Sequence, residues 1–279
     1  MRRIAALAVA AVTLAAPIHS AAQVDVSPGE AVARARALEE TGYHGRARLY
    51  LEELIRLDES FGARPEILLE LARLTPEWAG AAALCKEALA LTRDRDLLFR
   101  GHLLLGDAHY AGRRFLSAAR EYEKASEHGA DGDALLARIR RARSLAAAGD
   151  LTTAAELYRD VGRRAEPTDE LRAWADLGLA RTLLEQGRIE ESAELYRKVA
   201  TERPDSPAAP HAAAGAAEAF SRLGKATEAA AFLQLLEDSF PESFETLLAP
   251  RAARSAAPPD TLAPMSAGPD SAGAVAGGE

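Results

Sequence analysis

The chain has 279 residues and a formal net charge of −8 at pH 7, and 48% of its residues are hydrophobic while only 5% are aromatic. It can therefore bury a large apolar area, which must come mainly from Ala and Leu, two strong helix formers. So acidic a chain is a poor binder of nucleic acid or anionic lipid, because its charge repels phosphate groups.

The N-terminus has the pattern of an export signal. Arg2 and Arg3 precede an apolar run at residues 4–16, and a proline and small residues then lead to Ala22. The run is shorter than the about 20 apolar residues that cross a bilayer. We expect a signal peptide over residues 1–22, cleavage after Ala22, and a periplasmic or secreted protein without a membrane span. The alternative is an uncleaved anchor.

Cysteine usage limits the covalent options. Cys85 is the one cysteine of the sequence, so no intrachain disulfide can form. No cysteine stands directly after the signal region, so the attachment site of a bacterial lipoprotein is missing and we expect no lipid anchor.

The sequence repeats itself between residues 23 and 248. Matching turn positions recur every 34 to 38 residues, at Gly42, Pro76, Arg113, Gly149, Gly187 and Gly224. Five residues after each turn stands a small residue: Ala47, Ala81, Ala118, Ala154, Ser192 and Ala229. Nine residues after it stand Leu51, Cys85, Tyr122, Tyr158, Tyr196 and Leu233. Seven residues before it stand Ala35, Leu69, Gly106, Ala142, Ala180 and Ala217. Agreement in all of these slots predicts six copies of one structural unit.

The unit is interpreted as a helical hairpin. Small residues on both sides of the turn let two antiparallel helices approach closely, and the large residue nine positions after it fills the seam between hairpins. Glycine at the turn tolerates a positive φ and ends the first helix. One hairpin buries too little surface to fold alone, so the copies must stack into an all-α solenoid.

This pattern resembles the tetratricopeptide repeat. The copy that carries the resemblance best is "LGLARTLLEQGRIEESAELYRKVATERP", residues 177–204, and the last four copies match better than the first two, where Pro76 replaces the turn glycine. The linker "ERPDSPAAPHAAAGAAEAF" is similar to that of periplasmic repeat proteins of the Tol-Pal coordinator and outer-membrane assembly type. The resemblance implies a protein that binds other proteins or peptides.

From residue 249 to residue 279 the composition changes to Ala, Pro, Gly, Ser and Asp without a helical period. Such a segment buries too little apolar area to offset its ordering entropy. We expect a disordered tail over 249–279, preceded by a short cap in "SFETLLA".

The sequence lacks the common catalytic and nucleotide-binding motifs. The best metal candidate is the group His102, Asp107 and His109, which we interpret as packing residues. The loop "GADGD" at 129–133 lacks the spacing of a calcium loop, and we interpret Asp133 as a helix cap. We expect no enzyme activity, no metal and no cofactor.

In tetratricopeptide solenoids the first helices line the concave face, so the resemblance places a binding groove there. The slots thirteen, ten, six and three residues before the turn supply it in copies three to five. The residues we expect to bind a partner are Arg100, Tyr110, Arg143, Trp174 and Arg181. Arginine and aromatic side chains among Leu and Ile suit a partner segment that is acidic and partly apolar. The competing interpretation is that these side chains are solvated or pack on the neighbouring helix.

The function expected from these features is a non-catalytic interaction scaffold in the bacterial cell envelope. The alternative is a structural subunit of an envelope assembly, export or polysaccharide-secretion machine.

Overall fold

The computed structural model describes residues 26–57, 60, 64–166, 170–243 and 245, and these residues form twelve α-helices and no strand. The helices are α1 (Pro28–Glu40), α2 (His44–Leu57), α3 (Pro65–Leu74), α4 (Trp78–Leu91), α5 (Arg95–Ala111), α6 (Phe115–His128), α7 (Asp131–Ala147), α8 (Leu151–Arg164), α9 (Glu170–Glu185), α10 (Ile189–Glu202), α11 (Ala209–Arg222) and α12 (Ala226–Ser239). They pair in chain order into the six hairpins that the repeat predicts.

The chain divides into two compact units, residues 1–97 and residues 98–279. The first contains hairpins one and two, and the second contains hairpins three to six. The expected signal peptide and the tail over 249–279 lie outside the described residues, and of the expected cap the structure describes Ser243 and Glu245. The domain limits at 22, 23 and 248 therefore stay predictions.

Five of the six predicted turns share one backbone geometry. The residue at the turn has a positive φ, which is 57° at Arg113 and 72° to 92° at the four glycines. The next N–H donates to the carbonyl five residues earlier, as Arg188 does to Leu183 at 2.9 Å, which is the Schellman pattern at a helix end. Pro76 differs because the residues on either side of it, Thr75 and Glu77, are extended, so the second hairpin turns by another route.

The slots that the repeat assigns to packing are buried. Every residue seven before and five after a turn is buried, as at Ala180 and Ser192. The residues twelve after a turn, such as Val199, are buried as well. The residues nine after the turn are buried too, including Cys85 at 0% exposure, while Leu233 is half-buried. The small residues therefore lie between the helices, as their spacing predicts.

Tyrosine rings over glycine form the seam between neighbouring hairpins. Tyr158 packs on Gly178 of the next hairpin, where a Cβ atom would lie 2.4 Å from the ring. Tyr196 packs in the same way on Gly215, where that distance would be 2.6 Å. Both glycines stand nine residues before a turn. This slot is not among the packing positions predicted from the sequence.

Tyr122 departs from this arrangement. Its ring packs on Gly106 of its own hairpin, and its hydroxyl donates to the Asp107 carboxylate at 2.6 Å. The reason lies in the next hairpin, where Arg140 stands nine residues before the turn in place of glycine and donates to the same carboxylate. The junction between hairpins three and four is thus polar where the next two are apolar.

The start of α7 corrects one prediction. The helix begins at Asp131 after Ala130, so Asp133 lies inside the first turn and does not cap it. Both aspartates stand where the helix dipole favours negative charge. This stabilises the helix start without a capping hydrogen bond.

The first unit contains a buried carboxylate held by two arginines. Glu70 is 1% exposed and accepts from Arg36 at 3.1 Å and from Arg73 at 2.6 Å. Arg73 also binds Glu39. Burial raises the pKa of Glu70, but the hydrogen bonds from Arg73 and Arg36 outweigh it and the pKa is lowered. The carboxylate is therefore charged in the folded state.

We predict that Gly178→Ala lowers the free energy of unfolding of the second unit by about 1–3 kcal/mol, because the new methyl group overlaps the Tyr158 ring. Gly132→Ala is the matched control, since nothing lies within 4 Å of its Cβ position. It should be neutral or stabilising by up to about 1 kcal/mol. Urea unfolding followed by Trp174 fluorescence in a Trp78→Phe background measures both. Equal losses in the two variants would contradict the tyrosine–glycine seam.

We predict that Arg113→Gly stabilises the second unit by about 1 kcal/mol, because a non-glycine residue at positive φ is strained. The reciprocal change Gly149→Ala, at φ 92°, should cost a similar amount. Thermal unfolding followed by circular dichroism tests the pair. A neutral or destabilising Arg113→Gly would show that the arginine side chain offsets the strain.

Glu70→Gln should destabilise the first unit by about 1–2 kcal/mol at pH 7, because two partly exposed arginines lose a charged hydrogen-bond acceptor. Since the folded-state pKa is lowered, this stabilisation is present above the unfolded pKa and is lost as the pH falls through the folded one. The difference between the variant and the parent should shrink over that acidic range. Unfolding followed by Trp78 fluorescence in a Trp174→Phe background measures it.

The control is Glu53→Gln, whose side chain is 50% exposed in a surface pair with Arg56. It should leave the stability of the first unit unchanged, because a surface ion pair contributes little. A Glu70→Gln difference that stays constant from neutral to acidic pH would contradict the linkage.

Candidate partner-binding surface

The first helices of hairpins three to six present one row of accessible side chains. We name it the groove surface and define it by the slots thirteen, ten, six and three before each turn: Arg100, Leu103, Asp107, Tyr110, Leu136, Ile139, Arg143, Ala146, Trp174, Leu177, Arg181, Leu184, His211, Ala214, Glu218 and Ser221. Of these, Leu184 is buried at 7% exposure and the others are half-buried or exposed. Leu184 therefore belongs to the core and not to the surface on which its spacing placed it.

Arg143 and Tyr110 form the centre of this surface. The Arg143 guanidinium carbon lies 4.3 Å above the centroid of the Tyr110 ring, a cation–π distance. The ring is itself held by Phe115, 5.3 Å away between centroids. Within the described part of the chain no carboxylate pairs with Arg143, which is exposed. Its N–H groups are thus positioned by the ring and face solvent.

Arg181 lies on the next first helix along the chain. Its side chain is 78% exposed and pairs with Glu185 at 3.3 Å, one helical turn away. Such an exposed pair contributes only about 0–1 kcal/mol, so a ligand carboxylate can replace it at little cost. Burial raises the pKa of Tyr158, and the positive charges of Arg143 and Arg181 offset part of that rise.

Trp174 and His211 form an aromatic pair on the adjoining part of the surface. Their ring centroids are 5.7 Å apart, and the indole N–H donates to Glu170 at 2.9 Å. Trp174 is half-buried and packs against the core cluster of hairpins five and six. His211 pairs with Glu245 at 2.6 Å. His211 is not among the residues predicted from the sequence. It stands thirteen residues before Gly224, as Trp174 stands thirteen residues before Gly187.

Arg100 and Asp107 differ from the other surface residues. Arg100 is half-buried on α5, and in the described ranges no hydrogen bond, ion pair or ring contact joins it to Tyr110, Arg143, Trp174 or Arg181. The Asp107 carboxylate already binds Tyr122 and Arg140. The structure thus brings Tyr110 and Arg143 together, places Trp174 with His211, pairs Arg181 with Glu185, and leaves Arg100 apart.

The histidines singled out in the sequence have partners other than a metal. His102 Nδ1 lies 2.8 Å from Glu121, and its ring stacks on His128 at 5.8 Å. Among the residues with assigned positions, no three His, Cys, Asp or Glu side chains form a group that could hold a metal ion. In that same part of the chain, no helix has the length and apolar character needed to cross a membrane.

Comparison with known families agrees with the repeat. Three tetratricopeptide repeat models match, at residues 103–169, 145–214 and 215–243. Together they cover the second unit from hairpin three to hairpin six. No curated protein matches the sequence.

Solved structures with the same fold are numerous but distant in sequence. PilW, a widely conserved type IV pilus biogenesis factor, has a TM-score of 0.63 and 16% identity over 80% of this chain and 97% of its own. PilF of Pseudomonas aeruginosa has a TM-score of 0.58 and 14% identity over 81% of this chain and 97% of its own. The Cut9–Hcn1 hetero-tetramer of the APC/C gives 0.61 and 12% identity over 83% of this chain and 43% of its own.

At these identities the similarity shows the fold and nothing finer. The repeat models, the six hairpins and these structures agree on an α-solenoid of helix-turn-helix repeats. The chain belongs to the tetratricopeptide repeat family.

Proposed function

We propose that this protein is a non-catalytic interaction scaffold whose groove surface binds an extended segment of another protein. The observation that carries the proposal is Arg143, a guanidinium fixed on the Tyr110 ring, facing solvent and without a carboxylate partner in the described part of the chain. An arginine positioned in this way loses little entropy when it binds a carboxylate in a bidentate manner.

The surroundings define the partner's chemistry. Arg181, which is 78% exposed on the next first helix along the chain, supplies a second positive charge. Leu136, Ile139, Trp174 and Leu177 are half-buried around them and can cover apolar side chains. The segment that fits is acidic and partly apolar, with its carboxylates on Arg143 and Arg181 and an apolar side chain against Trp174.

The first unit is a poorer candidate for the same ligand. Its corresponding slots six and three before the turn hold Arg36, Glu39, Glu70 and Arg73, which bind one another. A ligand carboxylate would have to displace Glu70, which is 1% exposed. Binding to the second unit avoids this cost.

We place the scaffold in the bacterial cell envelope. The basic start and apolar run of residues 1–22 support export. The likeness to PilF and to the pilus biogenesis factor PilW agrees with that location. The second candidate function, a structural subunit of an envelope assembly, export or polysaccharide-secretion machine, is favoured by the PilW likeness alone. Stable copurification with several proteins in fixed ratio would favour the subunit over the scaffold.

We predict that Arg143→Ala with Arg181→Ala reduces partner recovery about tenfold or more when cells are crosslinked and the protein is captured from the envelope fraction, because a charged hydrogen bond to a ligand contributes about 1.5–3 kcal/mol. Trp174→Ala should reduce recovery through lost apolar contact.

The matched control is Arg163→Ala with Arg197→Ala. These arginines lie on the second helices α8 and α10, are 70% and 50% exposed, and pair only within their own helices. The control should keep the parent's recovery. Unchanged recovery in the Arg143 and Arg181 variant, with its helical content intact, would refute the groove as the binding site.

A further inference from the structure

We propose that residues 246–279 of the same chain occupy the groove surface in the absence of a partner, so that the protein carries its own competitor. The inference rests on the proposed function of that surface. Three independent observations support it: where the segment starts, how far it reaches, and how its charges are ordered.

The segment starts at the groove surface. Glu245 precedes it, is 14% exposed, and binds His211 Nδ1 at 2.6 Å. The His211 ring lies 5.7 Å from Trp174. The chain that follows α12 therefore returns to the first turn of α11, on the side that carries the slots of the groove surface.

The segment is long enough to reach Arg143. Neighbouring packed helices are about 8–10 Å apart, so α7 lies about 20 Å from α11 with α9 between them. The residues from 246 to 258 can span about 40 Å when extended. Asp260 and the residues after it can therefore lie over α9 and α7 without any change in the helices.

The order of charges along the segment complements the order along the surface. Arg251 and Arg254 come first, and α11, where the segment starts, carries Glu218 in its slot. From residue 258 onward the segment contains only acidic charges, at Asp260, Asp270 and Glu279. Those residues would meet Arg181 and then Arg143, which are two of the positive side chains of the surface.

The same part of the segment contains side chains for the apolar positions. Leu262, Met265 and Val275 are spaced among the acidic residues. The segment is thus acidic and partly apolar, which is the chemistry that the groove surface selects. A tethered ligand acts at an effective concentration on the order of millimolar, so contacts with a dissociation constant of about a millimolar would keep the segment bound half of the time.

Such a competitor would raise the affinity that a partner needs. A partner must displace the tethered segment, so its apparent dissociation constant rises by a factor of one plus the ratio of segment-bound to free protein. A segment that is bound half of the time therefore weakens the binding of every partner about twofold.

The test measures contact within the full chain. A nitroxide label is attached through Met265→Cys in a background with Cys85→Ala and Trp78→Phe. Trp174 is then the one tryptophan, and its fluorescence is quenched when the label approaches it. We expect about a twofold lower Trp174 emission than in the unlabelled protein, the value for a segment bound half of the time at a millimolar effective concentration. The quenching should not depend on protein concentration.

Charge reversal identifies the surface. Arg143→Glu with Arg181→Glu should restore the emission, whereas the control Arg163→Glu with Arg197→Glu, which makes the same change of net charge on α8 and α10, should leave the quenching in place. About 1 M salt should also weaken it, since the Debye length falls to about 3 Å.

Three results would overturn the inference. The first is an emission equal to that of the unlabelled protein. The second is quenching that grows with protein concentration, which would assign the surface to the segment of a second copy. The third is quenching that survives reversal of Arg143 and Arg181, which would place the segment elsewhere.

This measurement needs no partner, so it fails separately from the proposed function. If the quenching is absent while partner capture still depends on Arg143 and Arg181, the scaffold function stands and the competitor does not. If the quenching depends on both arginines while capture does not, the competitor stands and the scaffold function falls.

Discussion

The second unit depends on the packing of an aromatic ring against a glycine backbone. A ring from the second helix of one hairpin lies directly on the first helix of the next, at Tyr158 on Gly178 and at Tyr196 on Gly215. Glycine is required because any side chain would meet the ring, and the ring is required because no aliphatic residue covers so wide an area. Each such contact fixes the position of two first helices side by side. The groove surface exists because these contacts align α7, α9 and α11 with the same slots outward.

The interaction chemistry follows from that alignment. Residues that are 33 or 37 positions apart in sequence become neighbours on the surface, so Tyr110 supports Arg143 and Trp174 meets His211. Each pair joins residues from the first helices of two neighbouring copies. The surface is therefore a property of the array. A variant that weakens a tyrosine–glycine contact would also displace side chains of the groove surface.

Much of this could be predicted from the sequence because each repeat slot has a constant environment. The turn at Arg113 was identified by spacing alone, and its positive φ confirms it. The features that could not be predicted depend on which residues meet between two neighbouring copies of the repeat. Arg140 stands in a glycine slot, and only the structure shows that it turns Tyr122 back to its own hairpin and engages Asp107. The start of α7 was misplaced for a local reason, because Asp131 and Asp133 are both acceptable near a helix start. The partner-binding role of the five predicted residues stays a prediction.

The polar junction at Arg140 has a consequence for how the second unit unfolds. In an array that is held by nearest-neighbour contacts, the strength of each junction decides where cooperative blocks separate. The junction between hairpins three and four replaces the ring–glycine contact of the next two junctions by a hydrogen-bonded group of Tyr122, Asp107 and Arg140, whose strength varies with salt. The Tyr110–Arg143 stack crosses the same junction on the groove surface. A ligand bound there would contact both blocks. Its binding and the separation of the two blocks would therefore be thermodynamically linked.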